Sequence, residues 1–248
     1  MKKYFNAFLM CFTMFCAIPS PFHNWDDESR PLMTLFLPFV GAWIGLLWAL
    51  TSFAISFFNI PCLIGAIILT AFPLFVTGGM HMDGYLDVID AIKSWRDIEE
   101  KRKILKDPHV GSFAVISAVL IILAQFSLFA SVKEADHYAL ILIPTVSRCM
   151  AAFFVTVLRP LSVSEYSGAY RKGVKKGHII FICVLFVLTV AAGFVFLGKY
   201  GFVSLAVTLG YLLYLFKAFR SLGGMSGDIS GYSLIFGELC GIAVYALI

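Results

Sequence analysis

Seven long apolar runs constrain the fold of this 248-residue chain more than any other feature. They lie near residues 32–58, 61–80, 111–132, 138–158, 178–198, 201–221 and 230–248. A helix needs about 20 residues to cross the hydrocarbon core of a bilayer, and each run reaches that length. The pattern predicts an all-α, polytopic integral membrane protein with about seven transmembrane helices, forming a single domain over residues 1–248.

The amino-acid composition supports a membrane protein. Hydrophobic residues make up 60% of the chain and charged residues 14%, whereas soluble domains average about 25% charged residues. The six cysteines show no paired spacing, which argues against a disulfide framework or a zinc site and favours buried free thiols. Gly41 with Gly45, and Gly237 with Gly241, have the spacing that allows transmembrane helices to pack closely.

The N-terminal segment is apolar but shorter than the seven runs. Residues 4–18 follow Lys2 and Lys3, and Pro19 and Pro21 close the segment. It lacks a small-residue cleavage site of the kind that ends a signal peptide. About 15 residues are short for a span, so we expect an uncleaved interfacial or re-entrant helix.

Basic residues are distributed unevenly between the two sets of loops. Sixteen of the 19 flank the runs on one side, two lie on the other, and Arg148 lies within a run. The sixteen are Lys2, Lys3, Arg30, Lys93, Arg96, Lys101, Arg102, Lys103, Lys106, Arg159, Arg171, Lys172, Lys175, Lys176, Lys217 and Arg220. Because cytoplasmic loops are enriched in lysine and arginine, we expect a multi-pass protein of the cell (inner) membrane with these loops in the cytoplasm.

A row of three aspartates follows the second run. Asp83, Asp87 and Asp90 are spaced i, i+4 and i+7, which places them on one face of a helix. Like charges this close destabilise an unaided helix, whereas magnesium prefers oxygen ligands and keeps waters that a phosphate can replace. Gly84 leaves the backbone bare for a bulky ligand. The row predicts a magnesium site on the cytoplasmic side; a solvated acidic helix end is the alternative.

Two further polar segments adjoin apolar runs. Lys106 and Asp107 open a turn before the third run, and Gly227 and Asp228 lie in a glycine-rich loop before the last. Pro108 and Gly111 give the first segment a shaped turn directly before a span, and the second could form a flexible loop that binds phosphate or metal. The alternatives are a positively charged membrane anchor for the first segment and a plain turn for the second.

Arg148 is a third candidate because it lies inside the fourth apolar run. A buried arginine needs an acidic partner or an anionic ligand. Glu238, inside the last run, is one such partner, and a substrate phosphate is the other option. The sequence leaves both open.

Together these segments resemble the cobalamin synthase family, the adenosylcobinamide-GDP ribazoletransferases. The family element Thr-Gly-x-x-His-x-Asp-Gly-x-x-Asp-x-x-Asp is matched by Thr77, Gly78, His81, Asp83, Gly84, Asp87 and Asp90. The elements Lys-Asp-x-x-x-Gly and Gly-Asp-x-x-Gly…Glu are matched by Lys106, Asp107, Gly111, Gly227, Asp228, Gly231 and Glu238. Two positions depart from the family pattern: Leu86 replaces a usual alanine, and Ala91 replaces a usual glycine.

The resemblance implies transfer of the cobinamide phosphate of adenosylcobinamide-GDP to alpha-ribazole or its 5′-phosphate, with release of GMP. It implies Mg²⁺ as cofactor, held by Asp83, Asp87 and Asp90, with one of them or His81 as the base. The expected phosphate- and substrate-binding residues are Gly84, Lys106, Asp107, Arg148, Gly227, Asp228 and Glu238.

Other functions remain as alternatives at this point. A phospho-alcohol transferase using CDP-linked lipids has a related aspartate-rich site, but its Asp-Gly-x-x-Ala-Arg start is absent here. A secondary transporter would use intramembrane acids and Arg148 to bind solute, and a structural subunit would leave the aspartates unexplained. No nucleic-acid-binding motif is present, so we expect the lipid bilayer and the two substrates as partners. A homo-oligomer remains open.

Overall fold

The computed structural model describes residues 2–17, 25–133, 136–161 and 174–248. These residues form ten α-helices, two short 3-10 helices and no β-strand. The α-helices are α1 Lys2–Phe15, α2 Leu37–Phe57, α3 Cys62–Val76, α4 Met80–Lys93, α5 Ile98–Ile104, α6 Ser112–Ser131, α7 Ala139–Val157, α8 Lys176–Leu197, α9 Gly201–Leu222 and α10 Gly227–Leu247. The 3-10 helices are Arg30–Leu35 and Gly198–Tyr200. Most of the segment between the fourth and fifth apolar runs, including the basic residues Arg171 and Lys172, lies outside the described residues.

The all-α, multi-pass class is confirmed, and the predicted number of spans is approximate. Five described stretches are long and apolar enough to cross a membrane, or six if the bent pair of α3 and α4 counts as one span. One of the five is the 47-residue stretch that contains α8 and α9. A Cβ at Gly201 would lie 2.9 Å from the Cα of Phe194, so the chain reverses between these two helices. Each of the seven predicted runs therefore coincides with a separate helix.

Helices α7 and α10 form the centre of the bundle. Of the candidate spans they are the most buried, at 72% and 67% of their most apolar windows. Glycines allow neighbouring helices to approach them closely. A Cβ at Gly41 of α2 would lie 2.3 Å from the carbonyl oxygen of Pro144 in α7, and one at Gly237 of α10 would lie 3.0 Å from that of Val207 in α9. The close packing predicted from the glycine spacing is thus present.

Helix α1 is too short to span a bilayer. Its 14 residues extend about 21 Å, at 1.5 Å per residue, against a hydrocarbon core of about 30 Å. The chain after α1 is fastened to the end of α3, where the backbone N–H of Ala17 donates to the carbonyl of Val76 at 2.7 Å. The predicted short, non-spanning N-terminal helix is therefore present, and it is held against the α3–α4 bend.

Candidate active site

The aspartate row is positioned by a sharp bend between α3 and α4. The two helix axes differ by 89°, and the chain turns at Gly78 and Gly79 with φ values of 62° and 75°. Residues with a side chain rarely adopt this left-handed conformation, so the glycine pair permits the turn. The bend ends the apolar helix α3 and redirects the polar helix α4 across the bundle.

Helix α4 then packs backbone to backbone against the start of α10. A Cβ at Gly84 would lie 2.8 Å from the Cα of Asp228, and a Cβ at Gly231 would lie 3.1 Å from the carbonyl oxygen of His81. Any larger residue at Gly84 would push these helices apart. The contact brings Asp83 and Asp228 together, although they are 145 residues apart in the chain.

A cavity of about 360 Å³ opens beside this contact. Its charged part is lined by His81 and Asp83 of α4, Asp228 of α10 and Arg148 of α7, next to Gly227. Three separate predicted segments therefore meet at one cavity. Further walls come from α1 and α2, which the sequence analysis did not connect with the site.

The carboxylates beside the cavity concentrate negative charge. Asp83, Asp228 and Asp90 all interact repulsively with the carboxylate of Asp87, which is half-buried. None of Asp83, Asp87 and Asp228 forms an ion pair with a basic side chain in the described part of the chain. Such a cluster attracts a cation, because repulsion among partly desolvated carboxylates is relieved when a positive charge enters.

A complete metal-ligand set is not assembled among the described residues. No group of three His, Cys, Asp or Glu side chains there is arranged to hold an ion. The donors themselves suit magnesium, since all are carboxylate oxygens and Asp83 is exposed to incoming ligands. The predicted Mg²⁺ site therefore fits the residues in chemistry, and it remains a prediction.

Asp90 has a structural role that the spacing did not predict. One carboxylate oxygen accepts the backbone N–H of Gly111 at 2.5 Å, and the other accepts that of Ala114 at 2.9 Å. These N–H groups belong to the unsatisfied start of α6, so Asp90 caps that helix. A Cβ at Gly111 would lie 2.6 Å from the carboxylate, which explains the glycine there. The third aspartate is thus directed towards α6.

Arg148 and Glu238 form a buried ion pair. The Arg148 guanidinium donates to Glu238, and Ser147 Oγ donates to the same carboxylate oxygen at 2.9 Å. Arg148 is 2% exposed and Glu238 is 3% exposed. The salt bridge that the sequence left open is therefore present. It does not use the whole guanidinium, because Arg148 Nε is buried without a hydrogen-bond partner among the described residues and the side chain also lines the cavity.

His81 is also incompletely satisfied. Its Nε2 atom is buried and has no hydrogen-bond partner in the part of the chain that the structure describes. The imidazole lines the cavity and lies nearly parallel to the ring of Phe15, with an interplanar angle of 16° and centroids 6.2 Å apart. A buried ring nitrogen without a hydrogen-bond partner lowers the stability of the fold unless a ligand or a water molecule forms that hydrogen bond.

Lys106 and Asp107 do not line this cavity. Both are exposed, and Asp107 accepts the backbone N–H of His109 at 2.9 Å and contacts His109 Nδ1 at 2.7 Å. The His109 N–H groups hold the pKa of Asp107 below its ordinary value. The segment contacts the aspartate row only where the backbone N–H of Gly111 donates to Asp90, as far as the described residues show. A substrate-binding role for Lys106 and Asp107 remains a prediction.

The contribution of α1 to the site was not predicted from the sequence. Met14 and Phe15 line the cavity although they lie more than 60 residues before the aspartate row. The available signal was the amphipathic character of residues 2–15, which predicts that one face of α1 packs against protein or against the membrane interface. The pattern does not reveal which element that face covers.

Comparison with known proteins gives a consistent result over the whole chain. A family model described as cobalamin-5-phosphate synthase matches residues 7–246. A curated adenosylcobinamide-GDP ribazoletransferase from Clostridium perfringens (strain 13 / Type A) is 37% identical over 251 residues, covering 100% of both chains. One from Clostridium botulinum (strain Alaska E43 / Type E3) is 34% identical over 98% of this chain and 97% of the relative. No solved structure matches the chain.

Proposed function

Since this chain belongs to the cobalamin-5-phosphate synthase family, we propose that it catalyses the reaction for which its curated relatives are named. A ribazole hydroxyl oxygen attacks the phosphorus attached to cobinamide in adenosylcobinamide-GDP, and GMP leaves. The products are adenosylcobalamin and GMP, or adenosylcobalamin 5′-phosphate when the acceptor is ribazole 5′-phosphate. The observation that carries this proposal is the convergence of Asp83, Asp228, His81 and Arg148 on one cavity.

We assign the magnesium ligands to Asp83, Asp87 and Asp228. We choose Asp228 rather than Asp90 as the third ligand, because the Asp90 carboxylate is directed at the start of α6, where its two oxygens accept backbone N–H groups, whereas Asp228 lines the cavity with Asp83. When bound, Mg²⁺ supplies positive charge that neutralises the diphosphate and the departing GMP. The residues themselves would provide an anionic surface of three carboxylates for the cation.

Arg148 supplies a fixed positive charge in the lining of the cavity. Its ion pair with Glu238 holds the guanidinium in place, and the unpartnered Nε leaves donor capacity for a phosphate oxygen. A preorganised donor stabilises developing charge without reorganising during the reaction. In this proposal Arg148 binds the diphosphate, and Glu238 holds the Arg148 guanidinium in position.

His81 is suited to accept the proton of the attacking hydroxyl. Its imidazole lines the cavity, and Nε2 is buried without a protein partner among the described residues, so we assign this nitrogen to the substrate hydroxyl. Proton removal at this atom would increase the nucleophilicity of the ribazole oxygen as the bond to phosphorus forms. Phe15 lies beside the imidazole, with its ring nearly parallel to it.

The site is proposed to face the cytoplasm, in a protein embedded in the cell membrane. The support is the concentration of basic residues in the segments next to the site, including Lys93 and residues 101–103. Apolar side chains on the outer helices, such as Phe196 at 81% exposed, suit contact with lipid. Nucleotides and Mg²⁺ are then directly available to the cavity.

Release of GMP tests the proposed function. The purified protein in detergent is incubated with adenosylcobinamide-GDP and alpha-ribazole, with and without Mg²⁺, and GMP and the cobalamin product are measured together. Equal amounts of both products, formed only with both substrates, support the proposal. Solute flux into proteoliposomes without GMP release would support the transporter alternative instead.

A further inference from the structure

The cavity has an apolar region that phosphate chemistry does not explain. This region continues from the charged residues towards α1, α2 and α7. It is lined by Met14, Phe15, Leu37, Ala151, Ala152 and Leu234. Ala151 and Ala152 are 3% and 0% exposed and form part of the cavity wall, so a larger side chain at either position would narrow this region. An apolar space beside a charged site indicates a subsite for an apolar part of a substrate.

The aromatic wall of this region suits a flat ring. Phe15 and His81 lie nearly parallel, at 16°, and both line the cavity. Aromatic side chains in this arrangement offer π surface on which a planar ligand can stack. Phe15 sits at the end of α1, which the bond from Ala17 to Val76 fastens to the site.

The size of the cavity limits which substrate part can enter. About 360 Å³ falls at the small end of the range for ligand pockets, and it suits a nucleoside. The corrin ring of cobinamide, with its amide side chains and adenosyl group, is much larger. Two planar groups in the reaction remain as candidates, the guanine of the donor and the benzimidazole of the acceptor.

Polarity distinguishes these two bases. Guanine carries several donors and acceptors on its edge, and burial without partners would weaken its binding. Apart from the charged groups, the polar side chains among the described lining residues are two hydroxyls, and each already forms a hydrogen bond within the protein. Thr34 donates to the carbonyl of Pro31 at 3.1 Å, and the Ser230 hydroxyl bonds that of Tyr211 at 3.1 Å. Benzimidazole, with an edge of C–H groups and one free ring nitrogen, matches the region better.

We propose that the apolar region binds the benzimidazole base of the ribazole acceptor, with Phe15 and Ala152 as specificity-determining residues. The inference rests on the proposed function, because it assumes that ribazole is the acceptor. The base lies against Phe15, and the ribose extends to the charged end of the cavity. The ribazole hydroxyl is thereby placed near Asp83, Asp228 and His81.

The test separates the binding of the two substrates. In Phe15→Ala the base loses its aromatic wall, and in Ala152→Leu the added side chain occupies its space. We expect each to raise the KM for alpha-ribazole about tenfold, an effect equivalent to one buried apolar contact. The KM for adenosylcobinamide-GDP should change less than about twofold, a difference well below one such contact.

The matched control is Phe8→Ala. Phe8 is also on α1 and packs against Phe12 and Phe36, but it does not line the cavity. It reports the effect of removing an aromatic ring from this helix, and the KM for ribazole should stay near the wild-type value. A second readout is the ratio of kcat/KM for ribazole to that for an adenine riboside, which should fall in Phe15→Ala.

A third measurement does not depend on turnover. Equilibrium dialysis gives the Kd of alpha-ribazole for the wild type, Phe15→Ala and Ala152→Leu. A Kd that is unchanged in both variants, or a raised KM for adenosylcobinamide-GDP alone, would overturn the proposed subsite while the reaction stands. Absence of GMP release by the wild type, with ribazole still bound at Phe15, would instead overturn the proposed reaction.

Discussion

The carboxylate of Asp90 accepts the backbone N–H of Gly111 at 2.5 Å, which joins the aspartate row to the turn before α6. The Lys-Asp-x-x-x-Gly element thus meets the aspartate row through its glycine, while Lys106 and Asp107 remain exposed. This contact divides the row by role: Asp83 faces the cavity, whereas Asp90 orients the next membrane helix.

Asp90→Asn tests this division of roles. The amide can accept one N–H group but presents an NH₂ to the other, so one cap bond is lost. We expect a loss of stability of about 1–2 kcal/mol, as for other N-cap substitutions, and a lower Tm in detergent. The Mg²⁺ concentration for half-maximal activity should remain near wild type. A large rise in that concentration with unchanged Tm would make Asp90 a metal ligand instead.

Asp83→Asn and Asp87→Asn should affect catalysis and not folding. Each substitution removes one of the carboxylates that we propose as metal ligands. A bound metal ion stabilises the charge of the transition state by several kcal/mol in catalytic sites of this kind, so weaker metal binding should slow the reaction. We expect GMP release to fall by at least about 100-fold, with Tm unchanged or raised because repulsion with Asp228 is relieved. Glu99→Gln, the same charge change on an exposed residue of α5, is the control. Near-normal activity of Asp83→Asn at saturating Mg²⁺ would refute the assignment.

The sequence predicted the parts of this protein that depend on local pattern. The lengths of the apolar runs predicted the membrane helices, and the i, i+4, i+7 spacing predicted that Asp83, Asp87 and Asp90 lie on one helix, which is α4. Spacing reports only that side chains share a face. It does not report what the face meets, and so it could not distinguish a cavity-lining aspartate from the cap of α6.

Tertiary contacts account for what the sequence could not predict. The role of α1 depends on Phe15 reaching His81, and no periodicity within residues 2–15 contains that information. Likewise, a lone arginine in an apolar run requires a partner, but the choice between Glu238 and a ligand is settled only by the packing of α7 against α10. There Arg148 forms the ion pair and also lines the cavity.

Arg102 should stabilise the loop that presents Asp228. Its Nε donates to the carbonyl of Leu222 at 2.8 Å, at the end of α9, immediately before Gly223 with φ 80°. Loss of this bond in Arg102→Ala should cost about 1–2 kcal/mol, because a charged donor to a helix-end carbonyl is removed. The readouts are Tm and kcat. The control is Lys103→Ala, which breaks only an exposed ion pair with Glu100 and should leave Tm and kcat near wild type. If Lys103→Ala lowered Tm and kcat as much as Arg102→Ala, the proposed role of Arg102 would be wrong.

The orientation of the protein can be tested by cysteine labelling in a background without native cysteines. Glu100→Cys lies in α5 beside the basic segments and should react with an impermeant thiol reagent only when the cytoplasmic face is open. Lys199→Cys lies at the reversal between α8 and α9 and should react in intact cells. Reaction at position 100 in intact cells would reverse the proposed topology.

The Arg148–Glu238 pair allows stability and catalysis to be separated. Glu238→Gln leaves a buried guanidinium without its counter-charge, and we expect a loss of about 3–5 kcal/mol in stability. Replacing both residues, as Arg148→Met with Glu238→Leu, removes both buried charges and should recover most of that stability.

Activity should not recover in the double variant, because the phosphate has lost its cationic partner. Arg148→Lys keeps the charge but lacks the planar fork, so its kcat should fall although its Tm falls less than in Glu238→Gln. Tm in detergent and steady-state GMP release are measured for all three variants. A double variant that regains both stability and activity would reduce Arg148 to the ion pair alone, and the proposed phosphate contact would then be wrong.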